Sequence, residues 1–190
     1  IFVQAWYQGG ISVIDFTDSY NPFEIAYFDR GPILEDELIT GGFWSAYYYQ
    51  GTIYGTEITR GLDVLKLIPS KYLSENEIAA AAMAYPVIGP RRLFNPQHQV
   101  PMTWPAAPEV ARAYIDQLMR DDAISEDSAE RIGDMLDQVT LAMENGGDNR
   151  LARQINSYRL SAKGSNISLT QHRLEKLDAT LKGIAAGLRG

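Results

Sequence analysis

Two periodicities divide the chain. Through residues 1–67 apolar and polar positions alternate with a period of two, in short runs such as "ISVIDF", "FEIAYFDR" and "LDVLKL" bounded by Gly, Asn-Pro and Thr-Asp signals. This is the pattern of half-buried β-strands, and it predicts about six of them. From residue 108 onward the apolar residues recur three and four apart, which predicts amphipathic helices. Between the two regions lies "SENEIAAAAMAY", where Ser74 and Glu77 have capping-box spacing and predict a short helix stopped by Pro86. Six of the nine prolines then fall in 86–108, too dense for a helix or a central strand. Leu93, Phe94, Met102 and Trp104 in that stretch predict an extended strap pinned along a surface, since a free spacer would be mostly polar.

Four helices are predicted in the last region. Pro108 suits a first helical turn, and Val110, Tyr114, Leu118 and Met119 make one apolar face that Asp121 and Asp122 end. A second helix runs from about Glu126 to Glu144, capped by Ser125, with Ala129, Ile132, Leu136, Val139 and Met143 on its inner face. Asn145-Gly146-Gly147 stops it. A third carries Leu151, Ile155 and Tyr158 and ends near Gly164. The fourth starts after Ser168 or Thr170, with Leu174, Leu177, Leu181, Ile184 and Leu188 in near-heptad spacing. Short connections make neighbours antiparallel, so the expectation is a four-helix bundle.

The strand region contains an internal repeat. Residues 1–16, "IFVQAWYQGGISVIDF", lie over residues 52–67, "TIYGTEITRGLDVLKL", at an offset of 51, aligning Gly10 with Gly61, Ile11 with Leu62, Val13 with Val64 and Ile14 with Leu65. Each copy reads as a hairpin. "FEIAYFDR" supplies a third strand, and "GGFWSAYYYQ" is expected as the fourth, completing the period of one propeller blade.

"GGISVIDFTDSYNPFEIAYFD" resembles the LVIVD repeat of bacterial secreted β-propeller proteins over residues 1 to about 67. Asp15 matches the aspartate of that motif, and Lys66 replaces it in the second copy. Residues 111–188 resemble the FIMAH-type helical domain found at the C-termini of secreted bacterial proteins. The resemblance rests on "YIDQLMRDDAIS", on "LDQVTLAMENGGDNRLARQINSY" across its glycine turn, and on the final amphipathic helix. Ile155-Asn156-Ser157-Tyr158 stands where that family shows an "FIN"-like centre. The two resemblances imply an extracytoplasmic protein with an attachment or spacing module and no active site of its own.

The expected fold is therefore segregated α+β. Residues 1–68 form an antiparallel partial β-propeller of about one and a half blades, 69–108 a short helix and proline-rich strap, and 109–190 a helical bundle. A propeller needs at least four blades to close, so this fragment would expose aromatic blade faces and strand edges unless a partner or an upstream part of the same propeller covered them. The chain also opens at Ile1 inside a predicted strand, without a signal-like segment, and reads as a processed or partial product.

Aromatic distribution sharpens this picture. Of the 20 aromatic residues, 14 lie in residues 1–54, concentrated in "GGFWSAYYYQ". Blades bury both faces of a strand, so strict alternation would send Phe43, Tyr47 and Tyr49 into one gap and Trp44 and Tyr48 into the other. The competing reading is a platform for a small ligand or carbohydrate, which needs exposed rings beside convergent polar groups. The candidate interaction residues are Trp6, Tyr7, Phe43, Trp44, Tyr47, Tyr48, Tyr49, Phe94 and Trp104.

Charge and chemistry narrow the function further. A net charge of -7 and a single adjacent basic pair, Arg91-Arg92, argue against nucleic acid. The absence of cysteine excludes a disulfide framework, a thiolate nucleophile and cysteine-based metal sites. The longest helix-like apolar run, 78–85, falls far short of the roughly 20 residues that cross a bilayer, leaving peripheral membrane association as the closest approach. His98 and His172 are too far apart to read as a metal pair, and Glu35-Asp36-Glu37 lacks the ligand alternation of a calcium loop. Asp15, Asp29, Glu57 and Asp63 could supply paired carboxylates, but spacing alone sets no two across a substrate. Neither a cofactor nor a metal is expected. The sequence thus predicts a non-enzymatic scaffold or accessory subunit, periplasmic or at the cell surface, that holds other protein subunits. The alternative is the terminal part of a larger propeller that binds a ligand or completes an enzyme pocket.

Overall fold

The computed structural model describes residues 1–88, 100–163 and 167–189. The fold is α+β, with helices and small antiparallel sheets in two compact units, Ile1–Ala82 and Met83–Gly190.

The first unit holds six strands and one helix: β1 (Phe2–Ala5), β2 (Ile11–Asp15), β3 (Phe23–Phe28), β4 (Phe43–Tyr49), β5 (Thr52–Glu57), β6 (Gly61–Leu65) and α1 (Glu75–Ala82). They form two three-stranded meanders, β1-β2-β3 and β4-β5-β6. This corrects the expectation for "GGFWSAYYYQ". That strand does not complete the first sheet; it opens the second. The cause is local. Gln50 and Gly51 both take positive φ, 45° and 80°, making the tight two-residue connection that folds β4 back on β5.

The internal repeat persists in the hydrogen-bond register. Phe2 pairs with Ile14, Val3 with Val13, Gln4 with Ser12 and Ala5 with Ile11. At the offset of 51, Ile53 pairs with Leu65, Tyr54 with Val64, Gly55 with Asp63 and Thr56 with Leu62. Residues opposite each other on neighbouring strands share a face, so the rows Val3–Val13–Ala26 and Ala5–Ile11–Phe28 turn the same way. They meet the rows Ala46–Gly55–Asp63 and Tyr48–Ile53–Leu65 of the second sheet. Ile11, Val13, Phe43 and Ile53 are buried at this junction, and the Phe28 and Phe43 rings meet edge to face at 6.2 Å. The backbones join where the Phe43 amide donates to Trp6 O at 3.0 Å and the Gln8 amide to Gly41 O at 3.1 Å, and within the core Gly55 is a tight point: a Cβ there would lie 2.6 Å from Ile11 Cδ1 and 2.7 Å from Phe43 Cε1 of its own sheet.

Helix α1 closes one side of this core through Leu73 and Ile78. Its capping box forms as the Ser74–Glu77 spacing predicts. The Glu77 amide donates to Ser74 Oγ at 3.1 Å, and the Ser74 amide donates to Glu77 Oε2 at 2.7 Å. The helix ends at Ala82, ahead of Pro86.

The second unit begins with β7 (Tyr85–Pro86) and β8 (Met102–Thr103), an antiparallel pair extended by Val87 N–H donating to Pro101 O at 2.8 Å. The two ends of the proline-rich stretch therefore meet each other, where an extended strap was expected to keep them apart. A proline tolerates this edge position because the neighbouring Val87 supplies the donor. Four helices follow: α2 (Pro108–Arg120), α3 (Glu126–Glu144), α4 (Asn149–Ser157) and α5 (Ile167–Gly187). One core joins them, with Leu118, Ile132, Leu136, Val139, Leu177 and Leu188 among its buried side chains. On α3 the inward position is Met135, while Met143 lies exposed near the helix end. Helix α4 stops at Ser157, short of the expected Gly164, with Tyr158 as a half-buried C-cap.

The α3–α4 turn is held from both sides. Asp148 caps α4 by accepting from the Arg150 and Leu151 amides at 2.7 and 3.0 Å, bonds that hold its carboxyl below the usual value. Its own amide donates to Leu188 O at 3.0 Å, tying the turn to the end of α5. Across the unit, Arg173 of α5 is paired with Asp121 at the end of α2.

Two outcomes follow from this packing. Gly55→Ala overpacks the junction between the sheets and lowers the unfolding free energy by about 1–3 kcal/mol, read from urea denaturation followed by tryptophan fluorescence. The second unit contains its own core, so a polypeptide of residues 83–190 should give a helical circular dichroism spectrum and a cooperative melt; a strand-rich spectrum would contradict that independence.

Candidate interaction surface

The aromatic strand β4 does not alternate as its sequence suggests. A bulge between Phe43 and Ser45 sets two residues of β4 against one step of β5. One extra residue reverses the parity of everything on one side of it. Phe43 consequently joins Ala46 and Tyr48 on the core face, and Tyr47 and Tyr49 join Ser45 on the opposite face. This overturns the expected grouping of Phe43 with Tyr47 and Tyr49, and of Trp44 with Tyr48. Phe43 is fully buried, and Tyr48 is half-buried with its phenol pushed above the usual value by burial.

The opposite face of the second sheet is uncovered. Its rows are Tyr47–Tyr54–Val64 and Ser45–Thr56–Leu62. Leu62 is 61% exposed and Val64 59%, and the rings of Tyr47, Tyr49 and Tyr54 are open to solvent. Trp44, 61% exposed at the bulge, meets Tyr7 edge to face at 5.5 Å. The hydroxyls of Ser45 and Thr56 share a hydrogen bond of 2.8 Å within this face. These exposed rings and aliphatic side chains on one sheet face make it the candidate interaction surface.

The first sheet also has an uncovered face, of mixed chemistry. Its rows are Phe2–Ile14–Glu24 and Gln4–Ser12–Tyr27, with Phe2 and Tyr27 exposed. Trp6 lies over it, its indole N–H donating to Ser12 Oγ at 2.9 Å, and Ser12 Oγ in turn donates to Glu24 Oε2 at 3.4 Å.

The carboxylates that might have paired across a substrate are occupied locally. Asp15 accepts from the Thr17 amide at 2.9 Å and Asp29 from the Gly31 amide at 3.0 Å, both as turn formers, and Asp63 is paired with Arg30. Glu57 is the most heavily bonded. Its Oε1 accepts from the Gly42 amide at 2.9 Å, and its Oε2 accepts from the Thr59 amide at 2.9 Å, the Thr59 hydroxyl at 3.1 Å and the Arg60 amide. Burial would raise this carboxyl, but these donors favour the ionised form and hold it below its ordinary value. Glu57 thereby ties the β5–β6 turn to the start of β4. Beside it, the segment 29–42 frames a shallow recess of about 330 Å³ that includes Arg30, Glu35, Asp36, Glu37 and Arg60.

The remaining predicted residues lie elsewhere. Trp104 is exposed just after β8 in the second unit. Phe94 and His98 fall outside the described residues, and His172 sits on the exposed side of α5. Among the described residues no group of three or more His, Cys, Asp or Glu is placed to hold a metal ion, and no helix is long and apolar enough to cross a membrane. Of the residues expected from sequence, Trp44, Tyr47 and Tyr49 lie exposed with this face, and Tyr54, Leu62 and Val64, not singled out from sequence, lie on it as well. Their signal was present in the alternation of β5 and β6 and in the repeat that aligns Leu62 and Val64 with Ile11 and Val13. Comparisons with protein-family models, curated proteins and solved structures return no match to the chain.

The state of Glu57 predicts an acid-sensitive first unit. A carboxyl whose value is lowered by folding stabilises the folded state fully above its ordinary value of 4.5, and that stabilisation is lost as pH falls through the lowered value. Glu57→Gln should therefore melt below the wild type at neutral pH, and the difference should shrink on acidification below 4.5, as measured by thermal melts across a pH series.

Proposed function

We propose that the chain is a non-catalytic interaction or scaffold protein, an accessory or stabilising subunit of a larger extracytoplasmic complex at the envelope or a membrane surface. In this reading the first unit is the partial LVIVD-like propeller and the second a FIMAH-like four-helix bundle that spaces or attaches it. The observation that carries the reading is the uncovered outer face of the second sheet, where Tyr47, Tyr54, Leu62 and Val64 present ring and aliphatic surface in register to solvent. The partner buries this face, with Trp44 and Tyr7 as aromatic anchors at its rim.

A second reading has one specific observation in its favour. The Ser45–Thr56 hydroxyl pair lies beside the exposed Tyr47 and Tyr54 rings, the combination of stacking surface and polar groups by which a carbohydrate is held. Titration with soluble glycans followed by tryptophan fluorescence distinguishes it, because Trp44 would report sugar contact directly.

Trp44→Ala tests the docking reading. In the isolated chain the ring loses only its edge contact with Tyr7, so stability should change by no more than about 1.5 kcal/mol. In the assembled complex the same change should weaken association by about 2 kcal/mol or more, as expected of an interface anchor, measured as loss of the chain from the complex on size exclusion. A mutant that stays in the complex at the wild-type level would remove this face from the interface.

A further inference from the structure

The two sheets of the first unit do not pack as mirror partners. At the repeat offset of 51, the core-facing residues Val3, Ala5, Ile11 and Val13 of the first sheet correspond to Tyr54, Thr56, Leu62 and Val64 of the second, which all lie on its uncovered face. Conversely, the core-facing Ile53, Gly55 and Leu65 of the second sheet correspond to Phe2, Gln4 and Ile14 on the uncovered face of the first. The contact within the unit is therefore head to tail: one kind of face, here called front, meets the other kind, called back. For the repeated hairpins, the front left open on the second sheet and the back left open on the first are the same two kinds of face, carried by one chain; the third strands differ, since β3 flanks β2 in the first sheet and β4 flanks β5 in the second. Exposure follows this division. Ile11 and Val13 on the covered front are each 2% exposed, against 61% and 59% for their equivalents Leu62 and Val64.

We propose that a second copy of this chain covers the open front, placing the back of its first sheet, with Phe2, Trp6, Ile14 and Glu24, on Tyr47, Tyr54, Leu62 and Val64. The proposal rests on the docking reading above and names the partner. The chemistry of the two faces agrees with it. The open front offers tyrosine hydroxyls as donors, and the open back offers the Glu24 carboxylate as acceptor, beside apolar area on both. Such a face, more polar than the Ile11–Gly55 junction, is what a surface that also meets water before assembly requires. A head-to-tail contact repeats until it closes into a ring. Propellers close with about four to eight sheets, so two sheets per copy give rings of about two to four copies.

Light scattering of the full chain after size exclusion tests this, with Leu62→Glu disabling the front and Trp6→Glu the back. Both side chains are exposed in the single chain, and circular dichroism melts confirm that each variant folds. The wild type should have a mass of two to four times 21.2 kDa, and each variant alone should be a monomer. Mixed, the variants should form a one-to-one dimer, because each retains the face the other has lost. A monomeric wild type overturns the proposal, as does a Leu62→Glu chain that still assembles, or a mixture that stays monomeric while the wild type does not. A monomeric wild type whose Trp44→Ala variant is nevertheless lost from its native complex would leave the docking reading standing and remove only the second copy as partner.

Discussion

The first unit depends on the close approach of two sheets at Gly55. With no side chain there, the Ile11 methyl group and the Phe43 ring occupy the space a Cβ would fill, and the two three-stranded sheets share one core. Each sheet has only three short strands, and its apolar face is buried only against the other sheet and α1. The contact between Ile11, Val13 and Phe28 on one side and Phe43, Gly55 and Ile53 on the other supplies what each sheet lacks. Glu57 then locks the arrangement from the edge, using four backbone and hydroxyl donors to hold the β5–β6 turn against the entry to β4.

The second unit solves the same problem differently. A helix has one apolar stripe, and four such stripes can all be satisfied inside one core, leaving charged residues outside. The wet surfaces of α2–α5 follow this rule, with ion pairs such as Arg112–Asp137 at 2.6 Å and Lys182–Asp178 at 2.5 Å on the periphery. A two-sheet stack always has two outer faces, and here each carries apolar side chains beside polar ones. The helical unit gathers its stripes into one core, whereas the sheet unit leaves an outer face on each sheet.

That surface has a direction. The front of the first sheet's hairpin meets the back of the second's, and the open faces at the two ends differ in composition. The front is rich in tyrosine and aliphatic residues; the back mixes Phe2 and Ile14 with Gln4, Ser12 and Glu24.

Much of this was legible in the chain itself. The capping box at Ser74 and Glu77, the cap at Ser125 and the helical stripes of α2, α3 and α5 are local matters of three- and four-residue spacing, and the strands of the repeat are local matters of alternation. Their local physics is strong enough to set the element without help from distant residues. Three decisions needed the tertiary structure. The partner of β4 was decided by the Gln50-Gly51 turn, whose backbone conformation is not written in residue type alone. The side of the sheet reached by each β4 ring was decided by a bulge at Trp44, since one inserted residue reverses an alternation that the sequence shows as unbroken. Which apolar face is covered was decided by long-range packing: Val13 and Val64 occupy equivalent positions in equivalent hairpins, but Val13 lies on a central strand with the second sheet over it and is core, whereas Val64 lies on an edge strand with its face uncovered and is surface.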